Sequence, residues 1–279
     1  MRLARYLDDE GPRLGIVLAE NTVTPTRWGG FDELFEIDDP VEALREAGER
    51  ASTPVTPRHL LPPVVRRPQM IGTGGNYPDH VLEAKAEINP TEPIFIPFLW
   101  GAIIGPADDI VIPSPQTLTD YEVEFSVVIG RTVRHLTEDN AMEAVFGYTI
   151  VNDVSARDVM ARERMQVMLC KSVDTFLPVG PHVVTKDEIQ DPYALEIATY
   201  LNGEVRQKSN TGAMMARIPQ LLAAITASVT LHAGDVVTTG TPGGVGYFRT
   251  PQEFMQPGDV ITAKVGGVGR LTNRVVAGY

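Results

Sequence analysis

Cysteine is almost missing from the sequence: of 279 residues, only Cys170 carries a thiol. A lone cysteine excludes an intrachain disulfide and a paired-cysteine zinc site, and it fits a reducing, cytoplasmic setting. Basic charge is scarce too, with 24 lysines and arginines against 36 acids and a formal net charge of −12. A chain this acidic repels phosphate backbones, which argues against nucleic acid as a partner. No apolar run approaches the roughly 18 residues that a membrane helix needs. The opening MRLARYLDDE turns acidic before a signal-like stretch develops. There is also no GxSxG elbow, no HExxH and no Gly-Lys-Ser/Thr phosphate loop. What is present, 43% hydrophobic and 22% charged residues, suits a globular protein with a sizeable core.

The chain divides by composition. Residues 1–66 read as a small N-terminal α/β domain, with short strands turning at Asp8–Pro12 and Glu20–Asn21 and a helix starting at Asp39–Pro40. Pro54, Pro57, Pro62, Pro63 and Pro68 then mark an extended crossing segment. Residues 67–279 carry many short strand patterns bounded by turns, and two helices, near Asp79–Glu87 and Ile218–Ser228. The expected class is α+β, β-dominated, with a mixed β-roll rather than a doubly wound sheet.

Several segments carry chemistry. In TDYEVEFSVVIG, Tyr121, Val123, Phe125 and Val127 alternate with Glu122, Glu124 and Ser126, the period of a strand. Glu122 and Glu124 then share a face, either a solvated one or one whose repulsion a cation relieves. FGYTIVNDVSARD ends a strand at Asn152–Asp153, where the acid is a turn cap or a third carboxylate. Three carboxylates form the hard oxygen set that suits Mg²⁺, Mn²⁺ or Ca²⁺. In GTGGNYPDHVLE the third glycine of a dinucleotide fingerprint falls on Tyr77, so that reading fails. His80 and Glu83, three apart on a helix, either form an inert surface pair or a carboxylate-oriented general base. Lys171 lies in an apolar stretch and either snorkels outward or enters a cleft. DVVTTGTPGGVG ends a strand in a glycine-rich loop whose N–H groups can approach a carboxylate.

In this order the segments resemble the fumarylacetoacetate hydrolase family from about Met70 to the C-terminus. The pieces include IGTGGNYPDHVLE, DYEVEFSVVIG, GYTIVNDVSARD, KSVDTFLPVGP, LNGEVRQKSNT and LHAGDVVTTGTPGGVG. The resemblance implies a homodimer with Mg²⁺ or Mn²⁺ held by Glu122, Glu124 and Asp153. It implies a His80–Glu83 dyad, an active-site Lys171, and substrate contacts from Arg157, Thr241 and Tyr77. Two departures stand out. Phe98, Trp100 and Gly101 replace a Lys-Pro-x-Ser stretch common in the family, and Met160 replaces a frequent glutamine; both make the pocket less polar. The implied activity is metal-dependent hydrolysis of a carbon–carbon bond in an acylpyruvate or related β-diketo acid. A decarboxylase or tautomerase of an oxaloacetate-like β-keto acid, a cyclising enzyme and a binding protein without turnover are the alternatives. The expected partner is a small keto acid, with no nucleic acid and no membrane.

Overall fold

The computed structural model describes residues 1–19, 22–50, 52–87, 89, 92–114, 117–161 and 166–278. The turn expected at Glu20–Asn21 lies outside the described residues. Strands dominate, as the turn-bounded apolar segments require, and each strand pattern noted from Met70 onward forms a strand. An 11-stranded mixed sheet runs in the order Thr22–Pro25, Pro12–Ala19, Arg2–Leu7, Leu177–Thr185, Val145–Asn152, Val123–Ile129, Val236–Thr238, Met70–Gly74 and Ile94–Phe98, with two short strands beside this path. A second sheet of five strands includes the hairpin Val260–Val265 and Gly269–Ala277, with Ile110–Ile112 added in parallel at its edge. The architecture is α+β and β-dominated.

The strand Val123–Ile129 sits deep inside the large sheet, and both of its faces are covered. Val123, Phe125, Val127 and Ile129 enter the main core, against Ile197 and Ala263 of the five-stranded sheet and Ile218, Leu222 and Ile225 of the helix Ile218–Thr226. On the other face Val128 joins a second core that contains Leu3, Leu14, Trp28, Phe31, Leu34 and Leu44. Period-two alternation therefore separates two interiors here, not an interior from solvent. The Glu122–Glu124 face is buried as a consequence, and the solvated-strand reading falls away.

Residues 1–66 add their strands to this same sheet. Leu3 pairs with Val183 across the antiparallel contact between Arg2–Leu7 and Leu177–Thr185. The ring of Phe35 meets Phe146 edge-on at 4.9 Å. Within the proline-rich crossing, His59–Leu61 forms a short strand on Arg2–Leu7. The helix Pro40–Glu49 begins where the sequence places it, with the Asp39 carboxylate accepting the Glu42 N–H at 3.0 Å. Beyond residue 66 the helices are Pro78–Glu83 and Ile218–Thr226, shorter than their sequence patterns, plus two unforeseen short ones, Arg157–Met160 and Val167–Lys171. The first stops early because Lys85 takes a left-handed conformation, φ 51°.

Removing residues 1–66 would strip apolar side chains worth about 1.5–3 kcal/mol each from the second core, against a typical total stability of ~5–15 kcal/mol. A fragment 67–279 is expected to lose the cooperative thermal transition of the full chain. A transition matching that of the full chain would instead make residues 67–279 a self-sufficient domain.

Candidate functional site

Six ionisable side chains meet below the surface at one end of the strand Val123–Ile129: Asp120, Glu122, Glu124, Asp153, Arg157 and Lys171. Lys171, the most exposed of them, is only 5% accessible. Glu122 and Glu124 come from the start of that strand and Asp153 from the end of its neighbour Val145–Asn152. The Asp153 N–H donates to the Glu122 carbonyl at 2.8 Å. The sequence feature that closes the cluster is the short helix Val167–Lys171, which delivers Lys171 inward from its last turn.

Each cation bridges two acids. Lys171 Nζ donates to Glu122 Oε2 at 2.6 Å and to Asp153 Oδ2 at 2.7 Å. Arg157 Nε donates to Asp120 Oδ2 at 2.9 Å, and its Nη2 donates to Glu122 Oε1. Burial opposes ionisation of Glu122, but Lys171 and then Arg157 and His80 outweigh it and hold the carboxyl well below the usual range. Burial likewise opposes the charge on Lys171, yet Asp153 and Glu122 keep it a permanent cation. Glu124 has no such partner. Burial, then the charges of Asp153 and Glu122, push it well above the ordinary carboxylate range. Burial also pushes Asp153 up to about 7 in spite of Lys171.

The cluster thus holds two more carboxylates than cations, with the deficit concentrated on Glu124 and Asp153. One oxygen from each of Glu122, Glu124 and Asp153 lies within 4.8 Å of the others. Asp153 Oδ1 is buried with no hydrogen-bond partner among the described residues. An all-oxygen set with a net deficit of two charges and an orphaned oxygen fits a hard divalent cation, whose charge matches the deficit.

The His80–Glu83 pair lies beside this cluster, close enough for the His80 charge to act on Glu122. His80 Nδ1 is 2.8 Å from Glu83 Oε1, and Glu83 Oε2 accepts the Gly244 N–H at 2.8 Å. An ionised carboxylate only accepts, so Nδ1 carries the hydrogen, and in a neutral ring Nε2 is then the acceptor. The glycine-rich loop reaches the site through backbone donors, and the Gly240 N–H bonds Glu124 Oε2 at 3.1 Å. Gly240 has φ +89°, and a Cβ there would approach Asn76 Cβ to 2.9 Å, so only glycine permits this approach.

Two residues that sequence reasoning missed hold the frame. Asp120 accepts the Gly246 and Tyr247 N–H groups at 2.7 and 3.0 Å besides binding Arg157. It resembled a turn residue before a strand, and its place two positions before Glu122 was its only sign. Gln207 is fully buried in an otherwise polar strand, Glu204–Asn210, where hydropathy gives no sign of it. Its Oε1 accepts from the Val123 N–H at 3.1 Å and from Thr199 Oγ1 at 2.7 Å. Backbone N–H only donates, which fixes the amide orientation and leaves Nε2 to donate to Thr241 Oγ1 at 2.8 Å. The Thr241 hydroxyl hydrogen is therefore free to bond elsewhere.

The remaining expected residues lie differently. The Tyr77 ring is wholly buried in the main core, where burial and the Glu124 charge push its hydroxyl pKa up. Phe98 is no open wall, because it packs into the second core against Gly72, where a Cβ would stand 2.5 Å from its Cζ. Trp100 is exposed beneath the Arg67 guanidinium, 5.0 Å from the ring centroid. The Leu99 N–H beside it donates to Ser172 Oγ at 3.1 Å, tying this segment to the one that carries Lys171. Met160 ends the helix Arg157–Met160, half-buried.

Comparison with known proteins follows the same geometry. The family described as fumarylacetoacetate (FAA) hydrolase C-terminal matches residues 69–276. A relative in Homo sapiens, named oxaloacetate tautomerase FAHD2A, mitochondrial, is 38% identical over 99% of this chain and 92% of its own length. A fumarylacetoacetate hydrolase structure from Exiguobacterium antarcticum superposes with a TM-score of 0.85 at 33% identity, covering 99% of both chains. A 5-carboxymethyl-2-hydroxymuconate delta-isomerase structure from Mycobacterium smegmatis gives 0.79 at 31% identity, again over 99% of both.

Glu122→Ala should destabilise the fold by about 1.5–3 kcal/mol, because it removes the carboxylate that Lys171 and Arg157 share and leaves each cation with one acid. Glu124→Gln should instead raise the melting temperature of the metal-free protein and abolish its rise with added Mn²⁺. Thermal denaturation with and without Mn²⁺ checks both; a Glu124→Gln variant that still responds to Mn²⁺ contradicts the assignment.

Proposed function

This chain belongs to the fumarylacetoacetate hydrolase family, and on that premise we propose that it interconverts the keto and enol forms of a β-keto dicarboxylate of the oxaloacetate type. The observation that carries this reading is the single proton carrier at the cluster. Lys171 is held as a cation between Glu122 and Asp153, and the carboxylates would serve as ligands, which among the described residues leaves His80 to move a proton. A 1,3-proton shift needs only one such group. Likeness to a named oxaloacetate tautomerase over nearly the whole chain supports the same choice.

Glu122, Glu124 and Asp153 would hold a Mg²⁺ or Mn²⁺ ion, whose charge would stabilise the negative charge that develops on a keto-acid substrate. His80 Nε2 takes a proton from the carbon between the carbonyl and the distal carboxylate. The C–H electron pair becomes the C=C bond, and the carbonyl electrons move to oxygen. The imidazolium, steadied by Glu83, returns the same proton to that oxygen, which completes the enol. Lys171 adds fixed positive charge where negative charge develops. Thr241, with its own hydrogen freed by the Gln207 amide, donates to a substrate oxygen. Arg157 would add a contact to a substrate carboxylate or carbonyl group.

A second reading, hydrolysis of an acylpyruvate by water that His80 activates, draws on the likeness to a structure named as a hydrolase. A homodimeric state and a reducing compartment complete the proposal. The compartment rests on Cys170, which is buried with its thiol pushed up to about 11 by that burial, although the human relative is mitochondrial by name. The enol absorbance of equilibrating oxaloacetate, with Mg²⁺, with Mn²⁺ and with a chelator, tests the activity. Metal-dependent acceleration is expected, with kcat reduced at least ~10²-fold in His80→Ala. Pyruvate release from acylpyruvates outpacing oxaloacetate tautomerisation would overturn this reading in favour of the hydrolase.

A further inference from the structure

A cavity of about 640 Å³ lies away from the carboxylate cluster, between the N-terminal strands and the tip of the last hairpin. We propose that it binds a small aliphatic polycarboxylate, at a site separate from the reaction site.

Its volume is that of a small-molecule pocket. Its charge is the reverse of the chain's: Arg2, Lys264 and Arg270 line it, and no acid does so among the described residues. Lys264 is partly neutralised by Glu196 at 3.0 Å. Arg2 and Arg270 have no acidic partner among the described residues; Arg270 only faces the Tyr200 ring, 5.8 Å from its centroid. On a protein of net charge −12, two unpaired guanidiniums over one cavity form a local anion trap, and a guanidinium takes a carboxylate through two parallel hydrogen bonds. His182 lines the same cavity, and its Nε2 is buried with no partner among the described residues. The rest of the wall includes aliphatic groups such as Val17 and Val268, and no phenylalanine, tyrosine or tryptophan is among the described lining residues. That wall suits the carbon chain of an aliphatic acid.

Calorimetric titration of the chelator-treated full chain with tricarballylate tests the proposal. One molecule is expected to bind per chain, about tenfold more weakly or worse in the Arg2→Ser/Arg270→Ser double variant, each lost guanidinium–carboxylate contact being of that order. The double variant should melt where the parent does, since both side chains are exposed. Binding should be unchanged in His80→Ala, and inorganic phosphate and AMP should bind at least tenfold more weakly. Equal loss in His80→Ala would place the anion in the reaction site and overturn the proposal. So would phosphate or AMP binding as tightly, or no binding at all, including the case in which sedimentation shows a second copy of the chain covering the cavity. Failure of the tautomerase assay alone would leave this binding result untouched.

Discussion

A buried surplus of negative charge organises this protein. Among the described residues, Asp120, Glu122, Glu124 and Asp153 share an interior with only Arg157 and Lys171, and an unpaired charge in such surroundings costs several kcal/mol. Each contact that lessens the cost also fixes a segment. Arg157 links Asp120 to Glu122, and Lys171 links Glu122 to Asp153. Asp120 draws in the backbone of Gly246 and Tyr247, and Glu124 draws in that of Gly240. Glu83 takes the Gly244 N–H and so brings His80 to the same place. The candidate site residues are held by the electrostatics of the centre they surround.

The remaining deficit of two charges gives the cluster two neutral states. Without a cation, burial first and the neighbouring carboxylates second push Glu124 and Asp153 upward, toward their neutral forms, while Lys171 and Arg157 hold Glu122 down. A divalent cation would replace those protons. That exchange links fold stability, ligand charge and chemistry in one place. In the proposed reaction the proton carrier therefore lies outside the cluster, at His80.

Much of this was legible in the sequence. Strand positions followed from period-two alternation and turn residues, and the Glu122–Glu124 pairing followed from the same period. The contact between His80 and Glu83 followed from helical spacing, since they stand three positions apart. What the sequence hid depends on tertiary neighbours. Alternation in Val123–Ile129 suggested a wet face, because no local pattern reveals that residues 1–66 supply a second core over it. Lys171 had two equally ordinary fates until Glu122 and Asp153 were seen to hold it. Phe98 suggested a pocket wall from its place in the chain, yet its strand turns it toward the second core. Asp120 and Gln207 act entirely through partners distant in sequence, with Gln207 meeting Thr241 across 34 positions.

The exchange of protons for a cation is the claim on which the account turns. Titrating the metal-free protein with Mn²⁺ at neutral pH, in buffers of different ionisation enthalpy, measures it directly, because proton release into the buffer adds a buffer-dependent heat. The account predicts one Mn²⁺ per chain with protons released, and neither in a Glu124→Gln/Asp153→Asn variant. Binding without proton release, or binding that survives in that variant, would contradict it.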